Sequence, residues 1–120
     1  MGGTVRLRIE VDGEPLAAGD QVAGRVVVEE GGRARSLVVR LAFVERTKDF
    51  HAVALAGGEA VVAEGDLAEG AVLPFVLALA HDAPPTIATA NARLGWELHA
   101  RADRLGPDAR AERPVDVDRG

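Results

Sequence analysis

The chain has 120 residues, 48% of them hydrophobic and 28% charged, which suits one domain with a real core and argues against disorder. Its net charge is −5 with acidic and basic residues interspersed, which speaks against nucleic acid and anionic membrane as partners, since both require a basic face. There is no cysteine, and aromatics are only 3%. Disulfides, thiolate metal sites and thiol catalysis are therefore out, and the core must be built from Val, Leu and Ala.

Residues 1–3 lead directly into a charged alternating segment. No signal-peptide stretch and no apolar run of transmembrane length is visible, so a cytoplasmic location is the expectation. In residues 4–12, Val5, Leu7, Ile9 and Val11 point one way while Arg6, Arg8 and Glu10 point the other, which is strand periodicity. Asp12-Gly13-Glu14-Pro15 and Ala18-Gly19-Asp20 are turns by their chemistry. Residues 21–30 form the next strand, with Val22, Val26 and Val28 on one face. Gly24 within it signals a bulge or a close backbone approach.

After a glycine-containing loop, residues 36–46 read as a strong strand. Leu37, Val39, Leu41 and Phe43 face the core. Val38, Ala42 and Val44 lie around Arg40 on the other face, which is more apolar than a solvated face needs to be. Residues 51–56 and 59–64 flank Ala56-Gly57-Gly58 and are expected to form a hairpin with glycines at its turn. Residues 73–80 place Leu73, Phe75, Leu77 and Leu79 on one face, with Pro74 near the start. Asp82-Ala83-Pro84-Pro85-Thr86 is a rigid corner.

The longest alternation spans residues 88–103. Almost every even position is apolar and almost every odd one polar, so Glu97 and His99 are assigned to a wet outer face. The run is too long for one regular strand and must break, most naturally at the small residues before Arg93. Leu94, Trp96 and Leu98 anchor its firm part. A turn at Leu105-Gly106-Pro107-Asp108 precedes a last strand over residues 112–119, with Val115 and Val117 inward. About eight short strands and no helical period predict an all-β fold: an immunoglobulin-like antiparallel β-sandwich forming one domain over residues 1–120.

Five motifs occur in order: Gly19-Asp20-x-Val22-x-Gly24-x-Val26-x-Val28, Leu37-x-Val39-x-Leu41, Leu73-Pro74-Phe75-x-Leu77-x-Leu79, Asp82-Ala83-Pro84-Pro85-Thr86, and Leu94-x-Trp96-x-Leu98-x-Ala100-x-x-Asp103. Together they resemble the N-terminal domain of the arrestin family, and most closely the bacterial sporulation-control arrestin-like proteins. The resemblance covers roughly Val5 to Val117. It implies an arrestin N-domain sandwich and a non-enzymatic scaffold or adaptor role in bacterial sporulation or stress regulation. Family members usually carry two such sandwiches, and this chain has room for one. The phosphate-sensing core of the animal arrestins has no counterpart among these residues.

Candidate chemistry is sparse. His51, His81 and His99 lack further ligands at metal spacing. His81-Asp82 would need a nucleophile beside it, and His99 reads as solvated. Asp12 with Glu14 and Asp103 with Asp108 have too few oxygens for a calcium loop and read as solvated turn residues. Trp96 belongs to the core, with its indole N–H on an internal acceptor. No enzyme activity, metal or cofactor is expected. The candidate binding surface is Val38, Arg40, Ala42 and Val44, docking a protein partner, a sister domain or a second copy. Addition of a partner strand at a sheet edge is a second route. A carbohydrate- or small-ligand-binding sandwich is the alternative reading.

Overall fold

Period-two alternation becomes eight strands and no helix among residues 4–118, the residues described in this computed structural model. Residues 1–3 and the Arg119 end of the expected last strand lie outside them. In chain order the strands are β1 (Arg6–Val11), β2 (Gln21–Glu30), β3 (Ser36–Thr47), β4 (His51–Glu64), β5 (Val72–Ala78), β6 (Ile87–Ala88), β7 (Ala92–Asp103) and β8 (Ala109–Val115).

Two antiparallel sheets stack face to face. The smaller runs β1-β2-β5; the larger runs β4-β3-β7, with β6 and β8 both pairing to β7. The β3–β7 ladder is regular from Ser36↔Asp103 to Thr47↔Ala92. It sets Leu37, Val39, Leu41 and Phe43 opposite Ala102, Ala100, Leu98 and Trp96 on the inner face. These meet Val22, Val26 and Val28 of β2 and Phe75 and Leu77 of β5, all buried. Each buried Val or Leu contributes about 1.5–3 kcal/mol relative to an exposed one. Trp96 stacks obliquely on Phe43, ring centroids 5.3 Å apart. Its Nε1–H donates to the Pro84 carbonyl at 3.0 Å, so the proline corner supplies the internal acceptor.

The long alternating stretch breaks as expected: Thr89 to Asn91 separate β6 from β7. Gly24 meets a close backbone approach, since a Cβ there would lie 2.1 Å from the Glu10 carbonyl oxygen. The last strand starts earlier than expected, at Ala109, and ends at Val115. Val115 and Val117 are both inward.

The expected hairpin at Gly57-Gly58 is not there. Residues 51–64 form one strand, and the reversal sits between β3 and β4, where the Thr47 N–H donates to the Phe50 carbonyl at 2.7 Å. The glycine pair instead marks a bulge. The register jumps from Arg40↔Glu59 to Ala42↔Ala56, and a Cβ at Gly57 would lie 2.8 Å from the Leu41 carbonyl oxygen. Two further jumps, at Leu37/Val38 and Phe43/Val44, also give β4 one more residue than β3. Glycine within an alternating run serves a bulge as readily as a turn.

The two flanks of the sandwich close differently. At one, β1 packs against β8 and the chain beyond β8 is stitched to the segment after β1. Leu16 N–H donates to the Asp116 carbonyl at 3.0 Å, Asp118 N–H to the Leu16 carbonyl at 2.8 Å, and Thr86 N–H to the Val117 carbonyl at 3.0 Å. Glu14, expected as a solvated turn residue, is half-buried here; it accepts from Arg113 and from the Asp116 N–H at 2.9 Å. At the other flank β4 and β5 meet through side chains alone.

Candidate functional site

Pairing on the outer face of the larger sheet places side chains in rows across β4, β3, β7 and β8. One row is Val61, Val38, Arg101 and Arg110; the next is Glu59, Arg40, His99 and Glu112. Then come Ala56, Ala42, Glu97 and Pro114, and then Val53, Val44 and Gly95. The predicted patch Val38, Arg40, Ala42 and Val44 is thus the β3 column of this face.

Only half of that column is accessible. Arg40 is exposed and Val38 half-buried, but Ala42 and Val44 are each 1% exposed. The covering comes from two arginines that pair at the far end of the face, Arg46 and Arg93. Arg46 extends back over the Val44–Gly95 row. Its Nε donates to Glu97 Oε2 at 2.6 Å, and its Nη2 to Glu97 Oε1 at 2.7 Å and to Glu112 Oε2 at 2.8 Å. The Arg93 guanidinium lies so close over Gly95 that a Cβ there would sit 2.5 Å from Nη1. The aliphatic stems of long cations cover apolar surface while their heads stay paired. The expected open apolar patch is therefore a lidded one.

Beneath this lid Glu97 is 1% exposed, although the sequence assigns it to a wet face. Burial pushes its carboxyl up, but the Arg46 guanidinium and then His99 outweigh that and hold it below the ordinary carboxylate range. The bond to Glu97 in turn raises Arg46. His99 Nε2 lies 3.1 Å from Glu97 Oε1. An ionised carboxylate only accepts, so Nε2 carries the proton. His99 Nδ1 lies 4.0 Å from Glu112 Oε1. His99 is therefore half-buried and held between two carboxylates rather than solvated. No buried side-chain polar atom among the described residues lacks a hydrogen-bond partner.

Beside the network, between β3, β7 and β8, lies a hollow of about 170 Å³ lined by Val38, Arg40, Glu59, His99, Arg101 and Arg110 among others. Val38 and Arg40 thus border a concavity of this face. His51 and His81 are exposed and on other elements. Among the described residues no three His, Asp or Glu side chains are grouped to hold a metal ion. Asp108 Oδ1 is occupied by the Arg104 N–H at 3.3 Å.

A second feature was not read from the sequence. Eight large hydrophobic side chains are exposed among the described residues, and six sit on β4, the turn before it, or β5: Phe50, Val53, Leu55, Val61, Val72 and Val76. Neither residues 52–58 nor β5 contains a charge. Both margins are poor acceptors of an added strand, however. The three register jumps break the β4 ladder. On β5, Pro74 faces Arg25 in a rung where its missing N–H belongs to the free edge, given that Val28 and Asp20 bond to Ala71 and Leu79. This flank presents side chains, not a backbone template. A run of uncharged residues 52–58 beside an uncharged β5 was the available signal.

The chain matches no protein-family profile and no curated protein. Its fold is shared with the crystal structure of Spo0M, a sporulation control protein from Bacillus subtilis, at a TM-score of 0.77 and 18% identity over 98% of this chain. The likeness shows the arrestin-like sandwich that the sequence motifs resemble. The chain spans about half (51%) of the Spo0M chain. Among the described residues no helix is long and apolar enough to cross a membrane.

Proposed function

We propose that this chain is a non-enzymatic docking module, a regulatory scaffold that binds a second β-sandwich through its β4–β5 flank. One observation carries this reading: six of the eight exposed large hydrophobic side chains lie on β4, the turn before it, or β5, and residues 52–58 and β5 carry no charge. Scattered exposed apolar residues are ordinary, but exposed apolar side chains gathered on two neighbouring strands of a charged domain mark an interaction site. A charged partner gains nothing from such a surface. Another aliphatic β-sandwich margin, from a second copy or a sister domain, matches it in chemistry. Of the β3 residues first singled out, Val38 and Arg40 extend the contact through the neighbouring Val61. Ala42 and Val44, beneath Arg46, support the face from below. Spo0M is a sporulation control protein, and the shared fold supports a place in a bacterial sporulation or stress pathway, in the cytoplasm.

Sedimentation velocity over a range of concentrations tests the reading. The chain is expected to self-associate through this margin, and Leu55→Lys with Val76→Lys to return it to a monomer without loss of fold. A chain that is monomeric throughout, or association indifferent to both substitutions, contradicts it.

A further inference from the structure

We infer that the hollow between β3, β7 and β8 is a carboxylate-binding site, filled by an Asp or Glu side chain of the protein docked on the adjoining flank. The inference rests on the docking reading above and names what the docked partner must carry. Arg40, Arg101 and Arg110 line one hollow of about 170 Å³. Arg101 and Arg110 are directly opposite each other on β7 and β8. Like charges in that position repel unless an anion lies between them. Arg101 has only Asp108, at 3.7 Å. Among the described residues the side chains of Arg40 and Arg110 make no hydrogen bond or ion pair. The chain holds 19 acidic residues against 14 Lys and Arg, so these guanidiniums are not idle for want of carboxylates. Three arginines elsewhere are closely paired, Arg25 with Glu10 and Asp12, Arg46 with Glu97 and Arg113 with Glu14, while Arg35 and Arg93 make only longer contacts of 3.9 and 3.8 Å.

The charge of the hollow selects the ligand. Glu59 and Glu112 also line it, and Glu112 is engaged by Arg46 at 2.8 Å. With Asp108 on Arg101 and Glu112 on Arg46, the guanidiniums of Arg40 and Arg110 are the two left without an ion pair, an arrangement suited to a single negative charge. A flat monoanion fits guanidinium forks on two sides, whereas a doubly charged phosphate would face the two rim carboxylates. Val38 supplies an apolar wall for the methylene stem of the incoming residue. The row holding Val38 continues into Val61 of the apolar flank, so a partner seated there has the hollow within reach.

The test is an NMR titration of the 15N-labelled chain with a short end-blocked peptide carrying one Glu, with its Gln analogue, with acetate and with inorganic phosphate. Saturable shifts are expected for the side-chain Nε–H signals of Arg40, Arg101 and Arg110, with the Glu peptide and more weakly with acetate. Arg40→Gln and Arg110→Gln, both at exposed positions, should each weaken binding roughly tenfold without altering the melting temperature. Equal shifts with the Gln peptide, stronger binding of phosphate, or no saturable shift with the Glu peptide would overturn the assignment. If the Glu peptide fails while Leu55→Lys still abolishes association, the hollow is wrong and the docking reading stands. If the peptide binds and the chain never associates, the docked partner is wrong.

Discussion

The two flanks of this sandwich close differently and carry opposite chemistry. Where β1 meets β8 the chain is stitched by backbone bonds around Leu16 and Val117 and clamped by the Glu14–Arg113 pair. Charged side chains, among them Arg6, Arg8, Arg110 and Glu112, surround it. Where β4 meets β5, no backbone pairing joins the two strands, no charge falls within residues 52–58 or β5, and large aliphatic side chains stand about half exposed, from Leu55 at 48% to Val61 at 58%. One flank spends its polar groups on closing the fold. The other leaves apolar surface in water, a cost that folding alone does not explain. The comparison separates residues that hold the domain together from residues available to bind.

The sharpest disruption lies on neither flank but on the face between them. Arg46→Ala strips the buried Glu97 of its main partner and uncovers Val44, and about 3–5 kcal/mol of stability should be lost; denaturant unfolding measures it. On the stitched flank, Leu16→Ala removes a buried anchor and should cost about 2–5 kcal/mol, again read by denaturant. Acid should act on the same elements. Glu14 is lowered by its bond to Arg113, and Glu97 is lowered despite burial. A carboxyl lowered in the folded state contributes stability that is present above its unfolded pKa and lost as pH falls through its folded value. The loss should therefore come below about pH 4. Arg46→Ala should flatten that dependence, because Glu97 then no longer gains from ionising. The smallest stability change belongs to the open flank: Leu55→Lys and Val76→Lys should each shift unfolding by under about 0.5 kcal/mol while removing association.

Most of the fold was legible because alternation with period two is local. Leu37 to Phe43 and Leu94 to Ala102 declare their buried faces without reference to anything else, and the break before Arg93 follows from strand length. What was illegible depended on register. Gly57-Gly58 carries the same residues whether it turns the chain or bulges a strand, and only the packing of Leu41 against Gly57 decides. Glu97 sits at a polar position of its strand, and nothing near it in sequence announces burial. Its partner Arg46 arrives from β3 once the two strands are aligned. The hint was on β3, where Val38, Ala42 and Val44 made a second face too apolar to be bare. Arg46 and Arg93 cover one half of that face, and the hollow opens at the other.

Sedimentation velocity on the wild-type chain beside the Leu55→Lys/Val76→Lys variant, with melting temperatures taken on the same samples, addresses the division between a closing flank and a binding flank most directly. The account predicts concentration-dependent association of the wild type, a monomeric variant and near-equal melting temperatures. A variant that associates like the wild type, or one that unfolds as readily as Leu16→Ala, would contradict it.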